Sequence, residues 1–239
     1  MAPRFYIDTD LSAQKTLVLP EKAAHHAGRV LRMREGDSAV LFDGKGNEAE
    51  VIMHFSAAQT EAEIISVRKN PTESPLKSTL IQSLVSQEKL DWILGKATEL
   101  GVTKIVIVPA ERSVTKLDAK RLQKRLIQWK GTVLSACEQC GRAVLPEILY
   151  YEDLQKALLD NKSDTNIVLA PAAAKGFSLN KTESITFAVG PEGGFSAEEI
   201  ELATQLGYES RLLGPRVLRT ETAGLAALAV AQCLSGDFR

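Results

Sequence analysis

Val189-Gly190-Pro191-Glu192-Gly193-Gly194-Phe195-Ser196-Ala197-Glu198-Glu199 is the stretch on which the reading of this chain turns. Before it, Ile185-Thr186-Phe187-Ala188 is an apolar, β-rich run that reads as a buried strand. After it, Ile200, Leu202, Ala203 and Leu206 recur at helical spacing behind the capping-box pattern Ser196-x-x-Glu199. The segment is strand, glycine loop, helix. Gly190, Gly193 and Gly194 predict positive φ and close approach of the backbone to a ligand. Pro191 stiffens the loop and removes a donor. Open α/β proteins bind small molecules at such loops, at the carboxyl ends of sheet strands. The same pattern also describes an ordinary βα turn.

The surroundings repeat this unit. Thr79–Val85 reads as a strand and Gln87–Leu100 as an amphipathic helix, with Leu90, Ile93, Leu94, Ala97 and Leu100 on one face. Lys104–Pro109 and Asn166–Pro171 read as further strands, and Ser210–Pro215 as one more strand and turn. Strand, helix, strand with short joints predicts a parallel sheet. Asp118–Cys140 and Tyr151–Leu159 are helices, and an alanine-rich helix closes the chain after Gly224. That last helix is apolar nearly all round, which predicts burial in the core and in a subunit interface.

Toward the amino end the pattern changes. Arg4–Ile7, Thr16–Leu19, Ser38–Phe42, Glu48–Phe55 and Glu61–Val67 are strand candidates, with one helix over Glu21–Met33. Asp43–Asn47 is a hairpin turn. Short strands with a helix predict a small barrel. Asn70–Pro75 is the best linker, so the division is 1–70, a linker at 71–75, and 76–239.

Composition bounds the function. With 239 residues, 44% hydrophobic and 25% charged, the chain is an ordinary globular protein of one or two domains. It has no apolar run of the ~20 residues that a membrane helix needs. Three cysteines and no export pattern point to a reducing cytoplasm. Cys137 and Cys140 have C-x-x-C spacing without a second pair and read as packing residues; three histidines are too few for a credible metal site. The formal charge is −1, but Arg112–Lys130 holds seven basic residues against Asp118 alone, whereas Lys181–Ser210 holds six glutamates against one lysine. Such a basic stripe fits a nucleic-acid partner or, more blandly, a solvated helix face.

The loops after three strands, Leu169-Ala170-Pro171, Gly190–Gly194 and Leu213–Thr222, would meet at one sheet edge as a single pocket. Its charged groups are few: Glu192, Arg219 and Glu221. The chain has no P-loop, no Ser-His-Asp set and no H-E-x-x-H, which argues against NTP hydrolysis, nucleophilic hydrolysis and zinc chemistry. A backbone-lined, weakly charged pocket suits an adenine-containing cofactor.

Taken together, Lys96-Ala97-Thr98-Glu99-Leu100-Gly101-Val102, Val189–Phe195 and Leu213-Gly214-x-x-x-Leu218-Arg219-x-Glu221-Thr222-Ala223 resemble the SPOUT RNA methyltransferases. The likeness is to the subfamily that methylates N3 of a uridine in 16S ribosomal RNA. It spans essentially the whole chain, with Pro215 and Cys140 as minor departures. It implies an α/β catalytic domain with a parallel sheet and a trefoil knot, behind a PUA-like β-barrel that helps hold RNA. It implies S-adenosylmethionine against Leu169, Ala170, Pro171, Gly190, Pro191, Glu192, Gly193, Leu213, Gly214, Leu218 and Thr222. It also implies a homodimer acting on 16S rRNA; the large RNA footprint of two basic surfaces per subunit points to the assembled small subunit as substrate, and no metal is expected. Arg219 is the candidate to stabilise a uracil anion or a phosphate, and Glu221 or Glu99 to take the proton. Arg29, Arg32, Arg112, Gln139 and Arg142 are candidate RNA contacts. The rival readings are a non-catalytic RNA-binding module, a phosphate or nucleotide binder, and the same fold acting on another RNA or on a ribose.

Overall fold

The computed structural model describes residues 2–115 and 117–238. Lys116, one member of the basic stripe, lies outside the described residues. The chain forms two compact units, Met1–Glu73 with Leu134–Leu145, and Ser74–Val133 with Pro146–Arg239.

The first unit is built on strands β1 (Arg4–Tyr6), β2 (Thr16–Val18), β3 (Ser38–Phe42), β4 (Asn47–Phe55) and β5 (Thr60–Lys69). They lie in the order β1-β3-β4-β5-β2; β1 runs parallel to β3 and the other pairs are antiparallel. Alternation sends Leu41, Ala49, Val51, Met53 and Ala62 to one core, with Phe5 and Leu17. The hairpin forms where its sequence demands it. The Asp43 carboxylate accepts from the Lys45 and Asn47 amides, fixing the turn before β4. The expected helix over Glu21–Met33 is shorter: α1 (Glu21–His25) passes into a π-helical turn, His26–Val30. Its first residue follows Pro20, which has no side chain to cap it, and no residue of α1 is buried.

The expected linker does not divide the chain cleanly, because Leu134–Leu145 belongs to the first unit. The cause is hydrogen bonding at the hairpin turn. Gly46 N–H donates to Ala143 O, Leu145 N–H donates to Gly44 O, and Asn70 Nδ2 donates to Gly141 O.

In the second unit, β6 (Lys77–Ser83), α2 (Gln87–Glu99), β7 (Lys104–Val108), α3 (Ala119–Cys140), β8 (Glu147–Tyr150), α4 (Leu154–Asp160), β9 (Thr165–Leu169), β10 (Ser184–Val189), α5 (Ala197–Gln205), β11 (Glu209–Arg211) and α6 (Thr220–Ser235) follow in turn. The six strands form one sheet, β11-β9-β10-β6-β7-β8, and every pair is parallel. Strand β8 has no counterpart in the sequence reading. It is a short, half-exposed edge strand without the apolar alternation that marks the others.

Alternate side chains of the strands feed two faces. Ile81, Val106, Val168 and Ala188 pack with Ala157 and Leu158 of α4 and Ala203 of α5. The opposite face carries α6, whose Gly224 lies so close that an added Cβ would meet Leu80 at 3.0 Å and Val189 at 3.3 Å. Helix α6 is buried along Thr220, Gly224, Ala227, Leu228, Ala231 and Gln232 only. Its other side leaves Val230 and Leu234 exposed, so burial on all sides, expected from composition, does not hold within one chain.

Candidate cofactor pocket

Parallel strands end at the same edge, so the loops after β9, β10 and β11 are neighbours by construction. They enclose a cavity of about 460 Å³. Ala170, Gly193 and Leu218, one from each loop, all line it.

The loop after β10 is shaped by two glycines for two different reasons. Gly194 has φ +69°, the left-handed region. Gly190 does not; there a Cβ would sit 2.6 Å from Phe195 N and 2.9 Å from the Gly194 carbonyl carbon. The expectation of positive φ at Gly190 and Gly193 is therefore corrected. Gly190 is required by close backbone approach, and at Gly193 an added Cβ would crowd the Arg112 stem at 3.2 Å. The loop is anchored on several sides. Ser196 and Glu199 complete the capping box at the start of α5. The Glu199 carboxylate also accepts from Glu111 N–H at 2.8 Å, and Arg112 Nη1 donates to Gly193 O at 3.0 Å. Beneath it, Thr220 Oγ1 donates to Gly190 O at 2.6 Å and accepts from Gln82 Nε2 at 3.0 Å.

Of the residues expected to touch a cofactor, Leu169, Ala170, Pro171, Gly190, Pro191, Glu192, Gly193, Leu213 and Leu218 line the cavity. Gly214 and Thr222 do not. Gly214 turns the chain with φ +76°, and Thr222 lies exposed on the first turn of α6. Glu192 is held by Lys89 Nζ at 2.9 Å. Burial works to raise its pKa, but the lysine and main-chain hydrogen bonds prevail and hold the carboxyl below its ordinary value.

Both Arg219 and Glu221 line the cavity. Glu221 Oε2 is buried with no hydrogen-bond partner among the described residues. Glu99 is elsewhere. It ends α2, which starts near the pocket edge of the sheet and runs ~20 Å back toward the opposite edge. There it pairs with Lys96 at 2.7 Å, so it is removed from the candidates for proton acceptor in this cavity.

The expected RNA contacts also divide. Arg29, Arg32 and Gln139 are exposed, and Arg32 has φ 55°, rare for a side-chain-bearing residue. Arg112 is exposed and lines the pocket. Arg142 is 4% exposed, with Nε and Nη2 bound to both oxygens of Glu73 at 3.1 and 2.7 Å. It is a buried structural pair, not a surface contact, and its role as an RNA contact is withdrawn. Sequence reasoning missed Thr220, Gln82, Lys89 and Arg216, the last a further cation on the cavity wall. Thr220 leaves only a faint trace, a hydroxyl at a variable position inside the third motif, where α6 begins.

Cys137 is buried, and burial pushes its thiol up to about 12, which makes it inert at neutral pH. Among the described residues no group of His, Cys, Asp and Glu is arranged to hold a metal, and no helix is long and apolar enough to cross a membrane.

Comparison with known proteins decides the family. An RNA methyltransferase domain model matches residues 72–232, and an RNA methyltransferase PUA domain model matches 19–53. The chain belongs to the RNA methyltransferase family. One relative of this RNA methyltransferase is the ribosomal RNA small subunit methyltransferase E of Buchnera aphidicola, 33% identical over 99% of this chain and 98% of that one. A solved ribosomal RNA small subunit methyltransferase E from Neisseria gonorrhoeae, bound to S-adenosyl methionine, superposes with TM-score 0.92 at 39% identity over the whole of both chains. A Legionella pneumophila protein described as a methyltransferase, solved with the cofactor SAM, superposes with TM-score 0.94 at 35% identity, again over both whole chains.

Proposed function

We propose that this RNA methyltransferase uses S-adenosylmethionine to methylate N3 of a uridine in the 16S RNA of the small ribosomal subunit. The observation that carries the reading is the meeting of the three loops around one cavity lined by Glu221, whose buried Oε2 has no hydrogen-bond partner among the described residues. The cavity fits the cofactor chemically. Its apolar walls include Leu169, Leu213 and Leu218. No hydrogen bond between described residues engages the main chain of Leu213 or Leu218, which leaves donors and acceptors for an adenine edge. When bound, the cofactor supplies an electrophilic methyl on a sulfonium.

The residues of the chain supply the rest. Uracil N3–H is a weak acid and must lose its proton as N3 attacks. Glu221 is the acceptor we assign, since its buried oxygen has no partner among the described residues to satisfy it. Arg219, on the same wall and free of any ion pair among the described residues, stabilises the uracil anion. N3 lies on the pairing edge, so the base must be unpaired or extruded to enter. Arg112 both pins Gly193 and places a cation on the cavity wall.

Further features belong to the same reading. The exposed Val230 and Leu234 on α6 support a homodimer through that helix. Strand β11 returns to pair with β9 rather than β10, beside the bridge of Gly176 to Leu212, and this supports a knotted path through the loop after β9. The exposed Arg29, Arg32 and Gln139 are retained as RNA contacts. Residues 1–70 are assigned to holding RNA and 76–239 to catalysis, and we take the cytoplasm as the compartment. The test is methyl transfer in vitro to small subunits from a strain lacking this protein, with nucleosides analysed by mass spectrometry. N3-methyluridine should appear with wild type and not without cofactor. A methyl on ribose or on another base would refute the assignment.

A further inference from the structure

Helix α3 carries no acidic side chain from Ala119 to Ala136, but it carries Lys120, Arg121, Lys124, Arg125 and Lys130. At 100° per residue the first four and Gln128 fall within a 140° arc, so they form one face rather than a ring. The other side of the helix is the packed one, with Trp129 and Val133 at 1% and 2% exposure. Lys120, Arg121 and Lys124 are exposed. The charge on this face is poorly compensated. Arg121 meets Asp118 at 3.4 Å, with both side chains mostly exposed. Among the described residues Arg125 donates to the neutral Gln128 at 3.0 Å and has no ion pair, and Asp91 is joined to the face through Gln128 Nε2 at 3.2 Å. Lys120 and Lys124 have no ion pair among the described residues.

The face is also concave. Thr115 and Leu117 of the preceding loop join Arg121, Lys124, Arg125 and Gln128 around an open hollow of about 420 Å³. It is separate from the cofactor pocket, and the two share no lining residue. The loop that forms its rim begins at Glu111-Arg112-Ser113, the segment latched to the glycine loop through Glu199 and Gly193.

We infer that this face is a second RNA site, a phosphate clamp that grips the backbone of the substrate strand away from the target base. The inference rests on the RNA methyltransferase reading above and adds a surface outside both the cofactor pocket and the first unit. Lysine and arginine on a regular helix read phosphates and carry no base sequence. The clamp therefore contributes affinity and registration, while the pocket contributes chemistry. Lys120 and Lys124 lie four residues apart on one line of the helix, ~6 Å along its axis, and project their ammonium groups to successive anionic groups.

The test compares two charge-matched variants, K120Q/K124Q and K156Q/K162Q, the second pair being exposed lysines away from this face. The probe is a 16S rRNA fragment, with binding measured across a salt series, alongside cofactor calorimetry and steady-state methyl transfer. For K120Q/K124Q the slope of log K against log salt should fall by about 1.4, at ~0.7 per single-strand phosphate contact. The RNA KM should rise, with kcat at saturating RNA and cofactor affinity unchanged. K156Q/K162Q should leave all four at wild-type values. Equal slopes for the two variants and wild type would overturn the clamp, as would a fall in kcat without a change in slope. Wild type that binds the fragment through this face but transfers no methyl group would support the clamp while sinking the enzymatic reading.

Discussion

At the scale of single residues, position in the sheet separates residues that sequence could not. Glu99 and Glu221 are equivalent candidates on paper, each an acid in a family motif. The direction of α2 takes Glu99 to the far edge, where Lys96 pairs with it, whereas Glu221 stands on the cavity wall with a buried oxygen that has no partner among the described residues. Glu221→Gln should lower kcat by about 10²-fold or more, the scale of general acid–base catalysis, with cofactor affinity retained. Glu99→Gln should leave kcat within about twofold, the scale of a surface change away from the chemistry. Equal losses would contradict the assignment. Arg219→Ala should cut turnover by about 10²-fold without loss of fold, measured by methyl transfer and circular dichroism. For Arg142 the sequence left an RNA contact and a pairing with a nearby acid both open; the partner proves to be Glu73, 69 residues away, which closes on it with both oxygens and which nothing local in sequence marks.

At the scale of elements, the glycine loop and the parallel strands were readable because their signals are local: apolar runs, a capping box, glycines. The same cannot be said of β8, which is held by pairing with β7 and not by its own pattern. Nor did the glycines of the loop declare which were needed for φ and which for space, since both demands select the same residue. In the first unit, β4 carries Glu48, 3% exposed and bonded by Arg4, Asn70 and Arg68. Burial raises its pKa, but those three donors outweigh burial and the net shift is downward. A depressed folded pKa contributes stability above the ordinary glutamate value of about 4.5, and that stability is lost as pH falls through the folded value. Urea unfolding of the first unit should therefore weaken below pH ~4.5. Glu48→Gln should destabilise it by about 3 kcal/mol at pH 7, because Arg4 is left buried without its counter-charge. Unchanged unfolding in either experiment would contradict the pairing as a source of stability.

At the scale of the whole molecule, the two-unit organisation was visible as a change in pattern near Asn70–Pro75, but the return of Leu134–Leu145 to the first unit was not. That return depends on main-chain bonds to Gly44 and Gly46, and such bonds are independent of side-chain identity. The apolar outer side of α6 gives a direct expectation for assembly. Val230→Asp with Leu234→Asp should convert a dimer to a folded monomer in sedimentation analysis, and a monomeric wild type would contradict the interface. The central claim is that three sheet-edge loops make one cofactor pocket whose shape depends on the close approach at Gly190. Calorimetric titration of S-adenosylmethionine into wild type and into Gly190→Ala tests it most directly. The account predicts one site per chain in wild type and loss of binding in the variant, with the fold otherwise intact. A wild type that takes up no cofactor, or a variant that binds it equally well, would contradict it.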